Sequence, residues 1–408
     1  MTGTTPLGRE ERRQRAVEGL LTADAALQER LDRLARLTRL SLDANWAGIT
    51  VLDEDSAWFP AAVGFEKRPL PRRQTFCHTT TALDEVLVVP DARDDERFAD
   101  LDLVRSGAVT FYAGHPLRDP QGNVVGVLCV FDTRVRDLDE DQRRALVDLA
   151  ALAEEELTSA DDMAAAERVQ TSMLPSTALD AEGWDVSGIC LPALSVGGDF
   201  FDYAASSGVI DLVLGDVMGK GTGAALVGAG VRAALRGTHS AVTAGVDLGV
   251  TSTQVAKALL PDLERTGAFV TLLHVAIDAD DGWTRYVDAG LGLALVRRAD
   301  GSVQALLSED LPFGIIVDAH WTEHRLSLGP GDRLVIFSDG LLDLLPPDAD
   351  WTAEVGAMTA AASDVRDLLR MVTDLARGRG ALDDVTVVAA FRALQEQDDP
   401  ADPAGEDA

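Results

Sequence analysis

Four short stretches in the second half of the chain place an aspartate beside glycine or a second aspartate at the edge of an apolar run. Val196-Gly197-Gly198-Asp199-Phe200-Phe201-Asp202 is answered by Gly215-Asp216-Val217-Met218-Gly219-Lys220-Gly221. Phe337-Ser338-Asp339-Gly340 closes the apolar run 333–337, and Leu382-Asp383-Asp384 opens the run 385–391. A carboxylate at the edge of such a run sits at a strand end, and glycine lets the backbone turn sharply beside it. With no His or Cys among them, these groups are hard oxygen ligands, suited to Mg²⁺ or Mn²⁺ rather than Zn²⁺. One Asp-Gly after a strand is ordinary turn chemistry. Four such sites, two at the front and two at the back of one domain-sized segment, point to a shared centre.

Two other chemistries are weaker fits. Gly215 to Gly221 has three residues rather than four between its first two glycines, and Gly221 follows Lys220 where a phosphate loop requires Ser or Thr. Gly197-Gly198-Asp199-Phe200-Phe201 resembles a diguanylate cyclase signature, but Phe200 stands where that signature is acidic, and the later aspartates would have no role.

Composition narrows the class. A chain of 408 residues has room for two or three domains, and a hydrophobic fraction of 46% fits globular protein. The net charge of −32 opposes nucleic acid or an anionic membrane as partner. Lysine occurs only at Lys67, Lys220 and Lys257, so arginine carries nearly all the positive charge. Cys77, Cys129 and Cys190 are scattered and show neither a disulfide framework nor zinc spacing. No apolar run approaches the roughly 20 residues that span a bilayer, and the N-terminus lacks the apolar core of an export signal. The expectation is a cytoplasmic protein.

The elements that must carry these residues can be read in order. A polar segment, 1–24, precedes a helix with Leu31, Leu34, Leu37 and Leu40 at helical spacing. Strands are expected over 47–52, 57–63, 86–89, 108–117 and 124–131, with a short helix over 76–83 and a long amphipathic helix over 138–157. Leu146, Leu149, Ala153, Leu157, Ala160 and Met163 roughly follow a 3.5-residue spacing, as in a short coiled coil. A connector pairing with a second chain is the favoured reading, beside the alternative of a helix packed on its own domain. Beyond Pro175 the pattern becomes sheet-rich, with strands over 184–190, 198–203, 209–216, 269–277, 283–288, 293–298, 303–307, 320–326 and 333–337. Helices are expected over 221–236, 248–266 and 363–377. The fold class is α+β.

The first half resembles a GAF sensor domain, through Phe76-Cys77-His78, Val88-Val89-Pro90-Asp91-Ala92, Arg97-Phe98-Ala99-Asp100, Phe111-Tyr112-Ala113-Gly114 and Gly126 to Asp132. This implies an antiparallel sheet with flanking helices over 25–157, and an unidentified small-molecule or protein signal. Cys77-His78 is read as a structural pair with no bound cofactor. The four aspartate motifs, with the lead-in Ala166 to Gln170 and Met173-Leu174-Pro175, resemble the SpoIIE/RsbU-like branch of metal-dependent protein phosphatases over about 165–392. That resemblance implies an α-β-β-α sandwich over 176–392, while the sequence itself leads to the expectation of a helical linker over 158–175 and, from its acidic, Pro-containing composition, a disordered tail over 393–408.

Carried over by motif, the resemblance implies two Mn²⁺ or Mg²⁺ ions. Asp216 would bridge them, the Val217 carbonyl would complete one, and Asp339 and Asp383 would hold the other with Asp384 beside it. Asp199 would act through water or at a weaker additional position. Gly197, Gly198, Gly219, Lys220 and Gly221 would admit the substrate phosphate. One departure is visible: Asp288-Ala289-Gly290-Leu291-Gly292 stands where the family commonly has Asn-Ala-Gly-His. The expected function is a sensor-regulated phosphatase acting on phosphoserine or phosphothreonine of a protein, with an anti-sigma-factor antagonist as target and a homodimer formed through the GAF and linker helices. A weakly active, phosphatase-like binding scaffold is the alternative.

Overall fold

Strands buried on both faces set the architecture of both halves. The computed structural model describes residues 25–83, 85–307 and 310–394. Segment 1–24 and residues 395–408 of the expected tail lie outside the described residues. The chain divides into two units, Met1–Ala165 and Ala166–Ala408.

Unit 1 runs α1 (Ala25–Ser41), β1 (Trp46–Leu52), β2 (Ser56–Val63), β3 (Leu70–Pro71), α2 (Phe76–Leu83), β4 (Leu87–Val89), α3 (Asp102–Arg105), β5 (Phe111–Arg118) and β6 (Val124–Asp132), then enters the long helix α4 (Glu140–Met173). Its sheet has the order β3-β2-β1-β6-β5-β4, with every neighbouring pair antiparallel. Leu128 and Val130 of β6 face the core built with α1 and α4, whereas Val127 and Cys129 face Phe76, Cys77 and Phe98. That is the period of two expected of a strand buried on both faces.

Two helical expectations change. Leu31 and Leu34 are buried, but Leu37 and Leu40 are 45% and 66% exposed, and the buried face of α1 continues through Ala35 and Thr38 instead. The stripe on α4 is spent within its own unit: Leu146, Ala150, Ala153 and Leu157 join the unit 1 core, with Leu149 and Ala160 packed beside them. Each such buried leucine contributes about 1.5–3 kcal/mol. Over 146–160 the stripe thus packs on its own unit, while the helix itself runs on unbroken to Met173.

Unit 2 contains β7 (Leu179–Ala181), β8 (Trp184–Leu191), β9 (Phe200–Ser206), β10 (Val209–Val217), α5 (Thr222–Arg236), α6 (His239–Thr243), α7 (Leu248–Thr266), β11 (Val270–Asp278), β12 (Trp283–Ala289), β13 (Ala294–Arg297), β14 (Val303–Leu306), β15 (His324–Ser327), β16 (Arg333–Phe337), α8 (Gly340–Asp343), α9 (Trp351–Ala361), α10 (Val365–Arg379) and β17 (Val385–Arg392). One sheet is ordered β15-β12-β11-β10-β9 and the other β14-β13-β16-β17-β8-β7. Leu212 and Leu214 meet Leu334, Ile336, Val388 and Ala390 in a shared inter-sheet core. Val213 and Val217 turn the other way, onto Val231 and Leu235 of α5 and Val255 and Leu263 of α7. Val335, Phe337, Val387 and Ala389 likewise pack on Leu368, Leu369 and Val372 of α10. Helices outside and two sheets inside give the expected four-layer sandwich.

Helix ends follow local chemistry. The Asp247 side chain accepts from the Val250 amide at the start of α7, and Gly267 ends that helix in the left-handed region. Asp364 caps α10 by accepting from the Asp367 amide. β15 begins four residues later than the pattern over 320–326 indicated.

Candidate metal centre

Strand register brings the motifs together. In the β9–β10 hairpin Gly215 lies opposite Phe200, and the register places Asp199, just before β9, across from Asp216. β16 and β17 are antiparallel neighbours with Phe337 opposite Val387. Asp339 follows the end of one strand while Asp383 and Asp384 precede the start of the other, so they meet at the same end. The Ser338 hydroxyl stitches that end, donating to the Asp384 carbonyl at 3.1 Å and accepting from the Thr386 amide at 2.9 Å. Asp216, Val217, Asp339 and Asp383 then line a common cleft of about 330 Å³.

The electrostatics of the cleft are those of crowded anions. Burial, then the Asp339 carboxylate, pushes the Asp216 carboxyl up to about 6. Burial, then Asp383, raises Asp339, and burial with Asp216 as neighbour raises Asp199 strongly. Asp199 is 2% exposed, and its Oδ2 has no hydrogen-bond partner. Among the described residues no three His, Cys, Asp or Glu side chains are already closed around one point as a finished metal cage. The donor set nevertheless fits hard divalent cations: converging carboxylates that raise one another's pKa are relieved by positive charge. Lys220 supplies one such charge at the rim, its Nζ lying 2.9 Å from Asp383 Oδ2 and donating to the Leu382 carbonyl at 2.6 Å.

Asp384 is placed differently from its neighbours. Its Oδ1 accepts from the Ala193 amide at 2.8 Å and its Oδ2 from the Gly198 amide at 2.7 Å. It thus anchors the loop ahead of β9, whatever else it binds. That loop needs its glycines: a Cβ on Gly197 would lie 2.2 Å from Asp384 Oδ2, and one on Gly198 would lie 2.6 Å from the Val217 carbonyl. Gly219 and Gly221 adopt positive φ, which opens the turn after Asp216 to the cleft. Asp202 does not join the group; it pairs with Arg232 and Arg236. The pattern of strand-end aspartates carried no signal for Phe269 and Thr271, which line the same cleft. Gly290 and Leu291 also line it, so the Asp288-Ala289-Gly290-Leu291-Gly292 segment puts an apolar side chain on the wall.

Comparison with known proteins gives two family matches. The family described as Stage II sporulation protein E (SpoIIE) matches residues 206–392, and the GAF domain family matches 25–157. The two matches fall in different units, GAF in the first and SpoIIE in the second. The phosphoserine phosphatase RsbU of Bacillus subtilis is 26% identical over 194 residues, 47% of this chain and 55% of that protein. Protein IcfG of Synechocystis sp. is 24% identical over 256 residues, 55% of this chain and 40% of that protein. The chain thus spans about half the length of these curated relatives. The solved RsbU and RsbW domains of a Mycobacterium tuberculosis protein are similar at 25% identity and a TM-score of 0.47, covering 54% of this chain and 63% of that one. The SpoIIE match begins after Val196–Asp202, so what sets Asp199 beside Asp216 is the β9–β10 register. Among the described residues no helix is long and apolar enough to cross a membrane.

The GAF domain has its own cavity of about 330 Å³, lined by Trp46, Phe59, Phe65, Phe76, Cys77 and Phe131 among others. Cys77 is buried, with its Sγ 3.2 Å from the Thr50 hydroxyl and 3.8 Å from Cys129 Sγ. His78 Nδ1 accepts from Arg72 Nε at 3.2 Å. Both side chains are thus engaged by protein groups.

Proposed function

We propose that this chain is a metal-dependent phosphatase that hydrolyses phosphoserine or phosphothreonine on a protein, with turnover governed by its GAF domain. The observation that carries the reading is the convergence of Asp216, Asp339 and Asp383 in one cleft, with the Asp216 carboxyl raised to about 6 by burial and like charge. Asp216 would hold two Mn²⁺ or Mg²⁺ ions in common, with the Val217 carbonyl, Asp339 and Asp383 completing their coordination. Asp199 would serve a weaker position, and Asp384 would stand beside the second ion while fixing the loop. When bound, divalent ions neutralise phosphoryl charge and acidify water for attack. The chain's own part is to keep the carboxylates in register. The Gly219–Gly221 turn leaves room for a phosphate, and Lys220 offers it an ammonium.

The target we propose is a phosphorylated anti-sigma-factor antagonist in a partner-switching pathway. Support comes from the motif resemblance and from the similarity to RsbU, itself a phosphoserine phosphatase. Leu291, in place of the family's usual histidine, would tune the docking of that target. A cytoplasmic location belongs to the same proposal, as does a homodimer through the GAF and linker helices that uses faces other than the buried α4 stripe. Hydrolysis of p-nitrophenyl phosphate by the purified chain with Mn²⁺, abolished by EDTA, is the expected result. Metal binding without turnover of that ester or of a phosphoserine peptide would instead identify a binding scaffold, and consumption of GTP would identify a cyclase.

A further inference from the structure

The Gly197–Gly198 turn has no side chains of its own, so its position is set by what grips its backbone. One grip is Asp384, through the Ala193 and Gly198 amides. The other comes from Gln170, in the last turn of α4. Gln170 Nε2 donates to the Gly197 carbonyl at 2.7 Å, and Gln170 Oε1 accepts from the Gly197 amide at 3.1 Å. One side-chain amide therefore satisfies both polar groups of a buried residue, as a neighbouring strand would. The turn is wedged between two groups of the metal centre, Asp384 and the Val217 carbonyl, at distances that leave no room for a Cβ on either glycine. Asp199 follows directly.

We propose that Gln170 is a positioning residue for metal binding: it holds the Gly197–Gly198 turn against Asp384 and Val217, and thereby sets Asp199 and the Val217 carbonyl for the ions. The inference rests on the metal-dependent reading above. Without the Gln170 amide, both polar groups of Gly197 lose their partner, and the turn can retreat from the centre. Partners that orient metal ligands typically change affinity by about 10–100-fold when removed.

The test is Mn²⁺ affinity, measured by titration calorimetry or by the EPR signal of free Mn²⁺, in the full chain and in Gln170→Ala and Gln170→Glu. Glutamate keeps the shape and the acceptor but turns a carboxylate oxygen towards the Gly197 carbonyl, so it should not rescue. Both variants should bind Mn²⁺ about 10-fold more weakly, stay folded in EDTA with a melting temperature lower by no more than several degrees, and regain most of their kcat when Mn²⁺ is saturating. Affinity within two-fold of the parent in a folded variant overturns the role of Gln170 alone. Absence of Mn²⁺ binding and turnover in the parent overturns the underlying reading instead. If neither variant folds, hydrogen exchange decides: the Gly197 amide of the parent should be protected, and fast exchange there removes the clamp.

Discussion

At the scale of single residues, the aspartates divide by what surrounds them. Asp216 is crowded by other carboxylates, so Asp216→Asn should keep the fold and lower kcat/KM for p-nitrophenyl phosphate by at least about 10²–10³-fold, the scale of losing one electrostatic contributor. Metal-dependent turnover at the parent's level in a folded Asp216→Asn chain would remove it from the centre. Asp202 is one motif position away from being confused with the site, yet it faces Arg232 at 3.2 Å and Arg236 at 2.7 Å. Asp202→Asn should spare turnover and cost stability, by roughly 1–3 kcal/mol in urea unfolding, because buried Arg232 loses its counter-charge. Asp211 shows a third situation. It joins His274 Nε2 at 2.7 Å and His239 Nδ1 at 2.9 Å. Burial pushes its carboxyl up, but His274 and His239 outweigh that and hold it below its ordinary value. A depressed carboxyl stabilises the fold above its unfolded pKa of about 4 and loses that contribution as pH falls through the folded value. Asp211→Asn should therefore lower the urea midpoint at pH 7, and the gap to the parent should close as pH falls below about 4. A gap that stays constant with pH would mean that the carboxylate's charge is not what matters there.

At the scale of elements, the hydrophobic pattern revealed most strands as short continuous apolar runs buried on both faces, as at Leu212, Val213 and Leu214, which are all buried but face alternate cores. α9 was not legible: its buried residues, Val355, Gly356 and Thr359, do not make an apolar stripe among so many alanines and threonines. The four aspartate motifs were visible as spelling, but their meeting point depends on pairings between distant strands. Nothing near Asp339 in sequence indicates that its strand runs beside the one after Asp383. The Ser338 bridge between those strand ends is the clearest case. Ser338→Ala would leave the Asp384 carbonyl and the Thr386 amide short of a partner, at a cost of about 1–3 kcal/mol. It should also weaken Mn²⁺ binding about 10-fold through the displaced carboxylates. A variant less stable by that amount with unchanged Mn²⁺ affinity would separate the strand stitch from the centre.

At the scale of the whole molecule, the presence of two units was readable because each half of the chain carries its own run of motifs. Regulation is less legible, since the leucine stripe that resembled a pairing surface is consumed by the unit 1 core. What continues unbroken from Glu140 to Met173 is helix α4, with Leu146, Ala150, Ala153 and Leu157 in that core and Gln170 in its last turn. We propose that a rotation or shift of this helix at one end is felt at the other. Inserting seven residues after Ala160 advances the helix by about two turns and returns Gln170 to within roughly 20° of its face, whereas four residues leave it about 40° away and impose a stutter. A bias of only ~1–3 kcal/mol in the coupled equilibrium changes activity by roughly 5–150-fold. The four-residue insert should therefore lock turnover high or low and abolish its response to the GAF signal, while the seven-residue insert stays closer to the parent. Circular dichroism and sizing must first show that both inserts fold and keep the parent's oligomeric state. Parent-like turnover and regulation in both would make α4 a passive tether, and control of the centre would then have to reach it by a route other than this helix.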